Sequence, residues 1–223
     1  MRPIIFKCCF ILTVMIISLG LCNNKAFPDN NFIQLPYRVD YALLAPDKPV
    51  VYIINKTENK LYSVNYETGL SESLQLGYTP ERMDIGKNKY SNELYITQLQ
   101  GTHSYYWWKE DQYGKIAIID RNNLSLKGYI DITIDPFDII AGRDGYLYIT
   151  SGSGQFTYFQ SYNIDTKQYK DYADVDQLSY AAYHPSMERI YTIDTEVSLR
   201  NFTAYNISNG SPKIISLALN NLW

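Results

Sequence analysis

Cysteine is almost missing from this chain of 223 residues. The three cysteines all lie near the N-terminus, at Cys8, Cys9 and Cys22. The chain from Asn23 onward therefore has no thiol for a disulfide bond, a zinc site or a catalytic nucleophile. If the domain is exported, the lack of disulfides favours a bacterial source over a eukaryotic one.

Catalytic and metal-binding motifs are missing as well. The sequence contains only two histidines, and it has no Gly-x-Ser-x-Gly elbow, His-Glu-x-x-His helix or phosphate-binding loop. No catalytic residue, metal site or cofactor is therefore predicted. Calcium is the remaining alternative, because one segment is rich in carboxylates, although their spacing does not form an EF-hand loop. These carboxylates are Asp131, Asp135, Asp138 and Asp144.

An excess of positive charge is the next missing feature. Lysine and arginine number 20 against 23 acidic residues, which gives a formal net charge of −3. A weakly acidic chain is a poor match for the phosphate backbone of a nucleic acid or for an anionic membrane surface. We therefore predict a protein or a cell-wall glycan as the partner, and no nucleic acid.

The one long apolar run has the features of an export signal. Residues Cys8 to Leu19 follow the basic Arg2 and Lys7, and the run is too short to predict a membrane span. Residues 1–22 are thus predicted to be a signal peptide, 23–37 a linker, and the mature protein secreted or at the cell surface. A lipid anchor on Cys22 is an alternative, because the preceding residues resemble a bacterial lipoprotein signal except at Leu21.

Tyrosine and apolar residues are abundant, and they recur. The chain has 22 tyrosines and is 46% hydrophobic. Four strand-like segments begin at tyrosines that lie 43, 53 and 43 residues apart: Tyr52, Tyr95, Tyr148 and Tyr191. A period near 43 with four strands per unit predicts an all-β propeller with four blades, each a four-stranded antiparallel sheet, at about 38–78, 79–134, 135–177 and 178–223. We expect the repeated tyrosines, and apolar neighbours such as Ile190 and Ile193, to pack between blades.

These Tyr-Ile-Thr-Ser and Tyr-Ile-Ile-Asn strands, each after a turn, resemble the YVTN-repeat β-propellers of bacterial and archaeal surface proteins. The resemblance implies a propeller fold and leaves function open, because related propellers include binding modules and lactone-hydrolysing enzymes. It also implies rings of about seven blades, so four repeats predict a partial ring, with a closed four-bladed ring as the alternative. A partial ring would expose apolar blade faces and self-associate.

Two groups of residues are candidate sites. The second repeat carries an insert, Thr102 to Gly114, in which Tyr105, Tyr106, Trp107 and Trp108 are consecutive. These aromatic residues either fold back over a neighbouring blade or form a stacking surface for a ligand, rimmed by Lys109, Glu110 and Asp111. The second group is the pair Asp84 and Asp138, which we expect at corresponding positions of innermost strands, lining the channel.

The sequence therefore favours a non-catalytic, extracytoplasmic binding module for a glycan or a protein. The alternatives are a propeller enzyme of the lactonase or quinoprotein type, and a truncated product without a function of its own.

Overall fold

Four antiparallel sheets of four strands each form the part of the protein that the structure describes, which confirms the predicted all-β architecture. The computed structural model describes residues 33–106, 113–193, 202–208 and 210–215, and a compact unit spans Tyr37–Trp223. In chain order the strands are β1 (Tyr41–Leu44), β2 (Val50–Asn55), β3 (Lys60–Asn65), β4 (Ser71–Gln75), β5 (Thr79–Ile85), β6 (Glu93–Leu99), β7 (Gly114–Asp120), β8 (Ser125–Ile132), β9 (Pro136–Ala141), β10 (Tyr146–Ser151), β11 (Phe156–Asn163), β12 (Gln168–Asp176), β13 (Tyr180–His184), β14 (Arg189–Ile193), β15 (Phe202–Ser208) and β16 (Ser211–Ile215). A 3₁₀ turn, Asn88–Tyr90, is the single helical element of the described residues, and none of those residues form a helix that could span a membrane.

Each group of four successive strands forms one blade, and blades 1 to 4 follow the chain order. Within a blade every strand pairs with the next one along the chain. Short polar turns make this possible: in blades 1 and 3, an asparagine side chain accepts two backbone N–H groups of the turn that joins the third and fourth strands. Asn65 Oδ1 accepts from Glu67 and Thr68, and Asn163 Oδ1 accepts from the equivalent turn of blade 3.

The core lies between neighbouring blades rather than inside one of them. Three apolar clusters fill the spaces between blades 1 and 2, 2 and 3, and 3 and 4. Tyr52, Tyr95 and Tyr148 are completely buried there. Each of the three hydroxyls has a partner: Arg121, Glu93 and Asp144, respectively. The rings therefore act as packing residues whose polar ends are satisfied.

Blade 4 departs from the predicted pattern. Tyr191 is only partly buried, and Tyr205 on the third strand is the large residue buried against blade 3 instead. Ile193, expected in the core, is 45% exposed. The reason is alternation: Ile190 and Thr192 of β14 are the residues buried toward blade 3, so Tyr191 and Ile193 point to the other face of the sheet.

Candidate functional site

The ends of the blades form two faces with different connections. The connections β2–β3, β6–β7 and β10–β11 lie at the same strand ends as the links between successive blades, because antiparallel strands alternate in direction. We call this the loop face. The opposite end, which carries β1–β2, β5–β6 and β9–β10, is the turn face.

The insert of blade 2 lies on the loop face, and its first residues are fixed to blade 3. The backbone N–H of Ser104 donates to Ser153 Oγ at 2.8 Å, and Gly154 N–H donates to the Ser104 carbonyl at 3.1 Å. Gln155 Nε2 donates to the Tyr105 hydroxyl at 2.7 Å. Tyr105 and Tyr106 pack edge to face with ring centroids 4.9 Å apart, yet they remain 47% and 38% exposed. The start of the insert thus both docks on a neighbouring blade and presents aromatic surface.

Two tryptophans and three charged residues are also predicted to belong to this surface. Trp107, Trp108 and the rim residues Lys109, Glu110 and Asp111 lie outside the described residues.

A charged network beneath the insert links blades 1, 2 and 3. His103 Nδ1 lies 2.6 Å from Asp135 Oδ2, and that oxygen also accepts the Ser153 hydroxyl at 2.5 Å. His103 Nε2 lies 3.7 Å from Glu81 Oε2, to which Lys56 Nζ donates at 2.5 Å. Glu81, Asp135 and Ser153 are buried. No sequence motif indicates this network, because its members are far apart along the chain.

The network holds His103 in its charged form. Burial lowers the pKa of His103, but the hydrogen bond to Asp135 and the contact with Glu81 outweigh it and raise the pKa to about 9. Two cations, Lys56 and His103, then balance two carboxylates. Gly152 makes the close approach possible, because a Cβ there would lie 2.0 Å from His103 Cε1.

This charge balance predicts a pH-dependent stability. Because the folded pKa of His103 is raised from 6.5 to about 9, its contribution of up to about 3 kcal/mol is complete below pH 6.5 and is lost as the pH rises through 9. We expect the difference in free energy of unfolding between the wild type and His103→Gln, measured with urea, to be large at pH 6 and small at pH 9.5. His184→Gln is the matched control and should follow the wild type at both values. Parallel pH profiles of the wild type and His103→Gln would contradict the assignment.

The network is not a nucleophile–base pair. Ser153 donates its proton to Asp135 and not to His103, and both ring nitrogens of His103 face carboxylates. A charged imidazole in that position cannot accept a proton from the serine. Among the described residues, no group of three or more histidine, cysteine, aspartate or glutamate side chains is arranged to hold a metal ion.

The four aspartates considered for calcium have separate partners. Asp131 pairs with Lys115, and Asp135 belongs to the network of His103. Asp138 accepts two backbone N–H groups, and Asp144 accepts the Tyr148 hydroxyl.

Four innermost-strand residues occupy corresponding positions around the axis. Tyr41 pairs with Ile54 and Tyr180 with Ile193, while Arg82 and Asp138 each donate their backbone N–H to a threonine hydroxyl at the matching position of the second strand. The counterpart of Asp138 is therefore Arg82 and not Asp84, which corrects the alignment expected from the sequence. The register shifts after Pro80 and after Pro136 are equivalent, so the error comes from the connection that follows: residues 86–92 join β5 to β6, three more than the residues 142–145 that join β9 to β10.

Arg82 was not predicted, and it connects all four blades. Its guanidinium carbon lies 5.0 Å from the ring centroids of Tyr41, Phe137 and Tyr180, and Nη2 donates to the Tyr180 hydroxyl at 3.1 Å. The side chain is 9% exposed. Three aromatic faces thus stabilise a buried cation that has no carboxylate at ion-pair distance among the described residues.

The two aspartates predicted to line the channel also join neighbouring blades. Asp84 Oδ2 accepts the N–H of Ala141 from blade 3, and Asp138 Oδ2 accepts the N–H of Ala181 from blade 4, both at 2.8 Å. Both side chains line a cavity of about 280 Å³ between the innermost strands. Their role as channel-lining residues stays a prediction.

Comparisons with known proteins support the fold alone. No protein-family model and no curated protein matches the sequence. Among solved structures, the chain is similar to the major Malassezia sympodialis allergen Mala s 1 at 10% identity and a TM-score of 0.63, covering 79% of this chain and 62% of that one. A luciferin-regenerating enzyme gives 13% identity, a TM-score of 0.56 and coverages of 79% and 59%.

A chain of a nidogen/laminin complex gives 12% identity, a TM-score of 0.58 and coverages of 78% and 62%. These neighbours are β-propeller proteins, so the propeller fold is confirmed, whereas the YVTN-repeat family is not established. The chain spans about three fifths of the length of each of these structures.

Proposed function

We propose that this chain is a non-catalytic, extracytoplasmic β-propeller that binds a cell-wall glycan or a surface protein through the insert on its loop face. The observation that carries the proposal is the exposed Tyr105–Tyr106 pair on a base fixed to blade 3. The basic and apolar N-terminal segment supports export, to the cell surface or into the medium.

The anchoring of the insert is what makes the pair suitable for binding. A flexible aromatic loop would lose conformational entropy on binding, which weakens affinity. Here Ser104, Tyr105 and His103 are each tied to another residue before any ligand arrives. Tyrosine adds a flat apolar ring and a hydroxyl with few rotatable bonds, which suits both sugars and peptides.

The enzymatic alternative is less well supported by the same face. The charged network would be the candidate centre, and one structural neighbour is named as an enzyme. However, His103 is enclosed by two carboxylates, and Ser153 is hydrogen-bonded away from it, so a lactonase mechanism would lack an activated nucleophile. The neighbour from a nidogen/laminin complex fits a protein-binding role at least as well.

Tyrosine footprinting would test the proposed surface on the unmodified protein. We expect soluble cell-wall fragments or extracted surface proteins to protect Tyr105 and Tyr106 from iodination, read by peptide mass spectrometry. Tyr158 and Tyr169 are the internal controls, because they are 55% and 42% exposed in blade 3 and should react equally with and without the fragments. Protection of the control tyrosines with no change at Tyr105 and Tyr106 would refute the insert as the binding surface.

A further inference from the structure

A second candidate site, away from the insert, is a cavity near the axis around which the four innermost strands are arranged. All four innermost strands line the cavity of about 280 Å³ between them, which we call the axial cavity. Its polar and aromatic groups include Tyr41, Asp84, Asp138 and Tyr183. Concave sites lined by apolar and aromatic residues, with a few convergent polar groups, are the usual form of small-molecule sites.

The axial cavity continues into a larger cleft of about 590 Å³. The two spaces share Leu43, Asp84 and Lys87 as lining residues. The larger cleft is lined by residues of the β1–β2 and β5–β6 connections, together with Arg121 and Arg143, all at the turn face. A ligand could therefore enter the axial cavity from the face opposite the insert.

The two carboxylates of the axial cavity differ in one respect. Asp84 has a cationic partner, because Lys87 Nζ lies 3.2 Å from its Oδ1. Asp138 accepts only the N–H groups of Ile139 and Ala181, both at 2.8 Å, and no ion pair reaches it within the described part of the chain. A carboxylate has about four acceptor positions, so roughly two on Asp138 are left for a ligand.

Arg82 does not supply the missing positive charge. Its guanidinium is enclosed by three aromatic rings, as described above, and it forms no ion pair with Asp138. The Tyr41 hydroxyl is affected by all of these charges. Burial raises its pKa to about 12, and Asp138 and Asp84 each raise this pKa more than Arg82 lowers it. At the Tyr41 hydroxyl, the two carboxylates therefore outweigh the nearby arginine.

The pKa of Asp138 is consistent with the absence of a cationic partner among the described residues. Burial raises the pKa of Asp138 to about 6, against the opposing effects of its two N–H donors and of Arg82. Burial also raises the pKa of Asp84, although Lys87 opposes it. A bound cation would supply the counter-charge that Asp138 lacks.

We propose that the axial cavity binds a small organic ammonium ion, with its nitrogen on Asp138 and its apolar part against the rings of Tyr41 and Tyr183. Lys87 on Asp84 is the intramolecular precedent for an ammonium group on an inner-strand carboxylate of this cavity. Aromatic rings that line the same cavity as the carboxylate favour a cation over a neutral molecule. The site is independent of the insert, so either proposal can fail alone.

The test is an NMR titration of the purified full chain with n-butylammonium chloride, and with 1-butanol as the neutral analogue. We expect saturable shifts of the Ala181 amide, which donates to Asp138, with butylammonium only. Asp138→Asn should weaken binding at least tenfold. Asp131→Asn is the matched control, because Asp131 is a surface carboxylate 81% exposed and should not affect the titration.

The pH profile provides a readout that does not depend on a variant folding correctly. The charged or titratable groups around Asp138 are Arg82, Asp84 and Lys87, with the hydroxyls of Tyr41, Tyr180 and Tyr183. Because a proton competes with the ammonium ion for Asp138, we expect binding about tenfold weaker at pH 5 than at pH 7.5. Equal binding of butanol, binding unchanged at pH 5, or no saturable binding of butylammonium to the wild type would each overturn the proposal.

Discussion

Replacing Tyr148 with alanine should destabilise the protein by about 3–5 kcal/mol, the range of large aromatic deletions in packed cores. Tyr148 is completely buried on the second strand of blade 3, in the cluster that joins blades 3 and 4. Its ring lies 6.0 Å from that of Phe159, and its hydroxyl donates to Asp144 at 2.6 Å. The substitution would remove the ring contacts and leave a cavity between two blades.

Two variants separate packing from hydrogen bonding at this position. Tyr148→Phe keeps the ring and should cost only about 1 kcal/mol, since it removes one hydrogen bond. Tyr158→Ala removes a tyrosine that is 55% exposed in the same blade and should change stability little. Urea unfolding of the three variants gives the comparison. A loss below about 1 kcal/mol for Tyr148→Ala would mean that the repeated tyrosines do not form the core between blades.

The sequence predicts the blades because the local signals agree with one another. The tyrosine strands recur at a blade-length interval, and asparagine and glycine occupy the turns, so propensity, periodicity and turn chemistry all favour one architecture. Blade 4 shows where this reasoning fails. Tyr191 aligns with the other repeated tyrosines but faces away from blade 3. Alternate residues of a strand point to opposite faces, and in β14 the buried ones are Ile190 and Thr192.

The charged residues of the site could not be found in the same way. His103 meets Asp135 across two blades, and Arg82 meets Tyr180 across the axis, so each contact depends on the arrangement of sheets rather than on local spacing. The mistaken pairing of Asp84 with Asp138 has a more specific cause. The connection between β5 and β6, residues 86–92, is three residues longer than the connection between β9 and β10, residues 142–145, so an alignment on the tyrosines of the second strands places the innermost strands out of step.

The binding role of the insert predicts the largest functional effect. The double substitution Tyr105→Ala and Tyr106→Ala removes both exposed rings but leaves the anchoring contacts of Ser104 and His103 in place. Aromatic contacts contribute about 0.5–1.5 kcal/mol for each pair beyond area burial, so the loss of two rings should weaken a modest site at least tenfold. Stability should change little, because both rings are half exposed.

Retention of the purified chain on cell-wall material, with the melting temperature measured in parallel, tests this claim most directly. We predict that the wild type and the control variant Tyr158→Ala, Tyr169→Ala are retained equally, whereas Tyr105→Ala, Tyr106→Ala is released at the same melting temperature. Undiminished retention of the Tyr105→Ala, Tyr106→Ala variant, together with a melting temperature lowered by many degrees, would show that these rings are structural and would contradict the proposed binding surface.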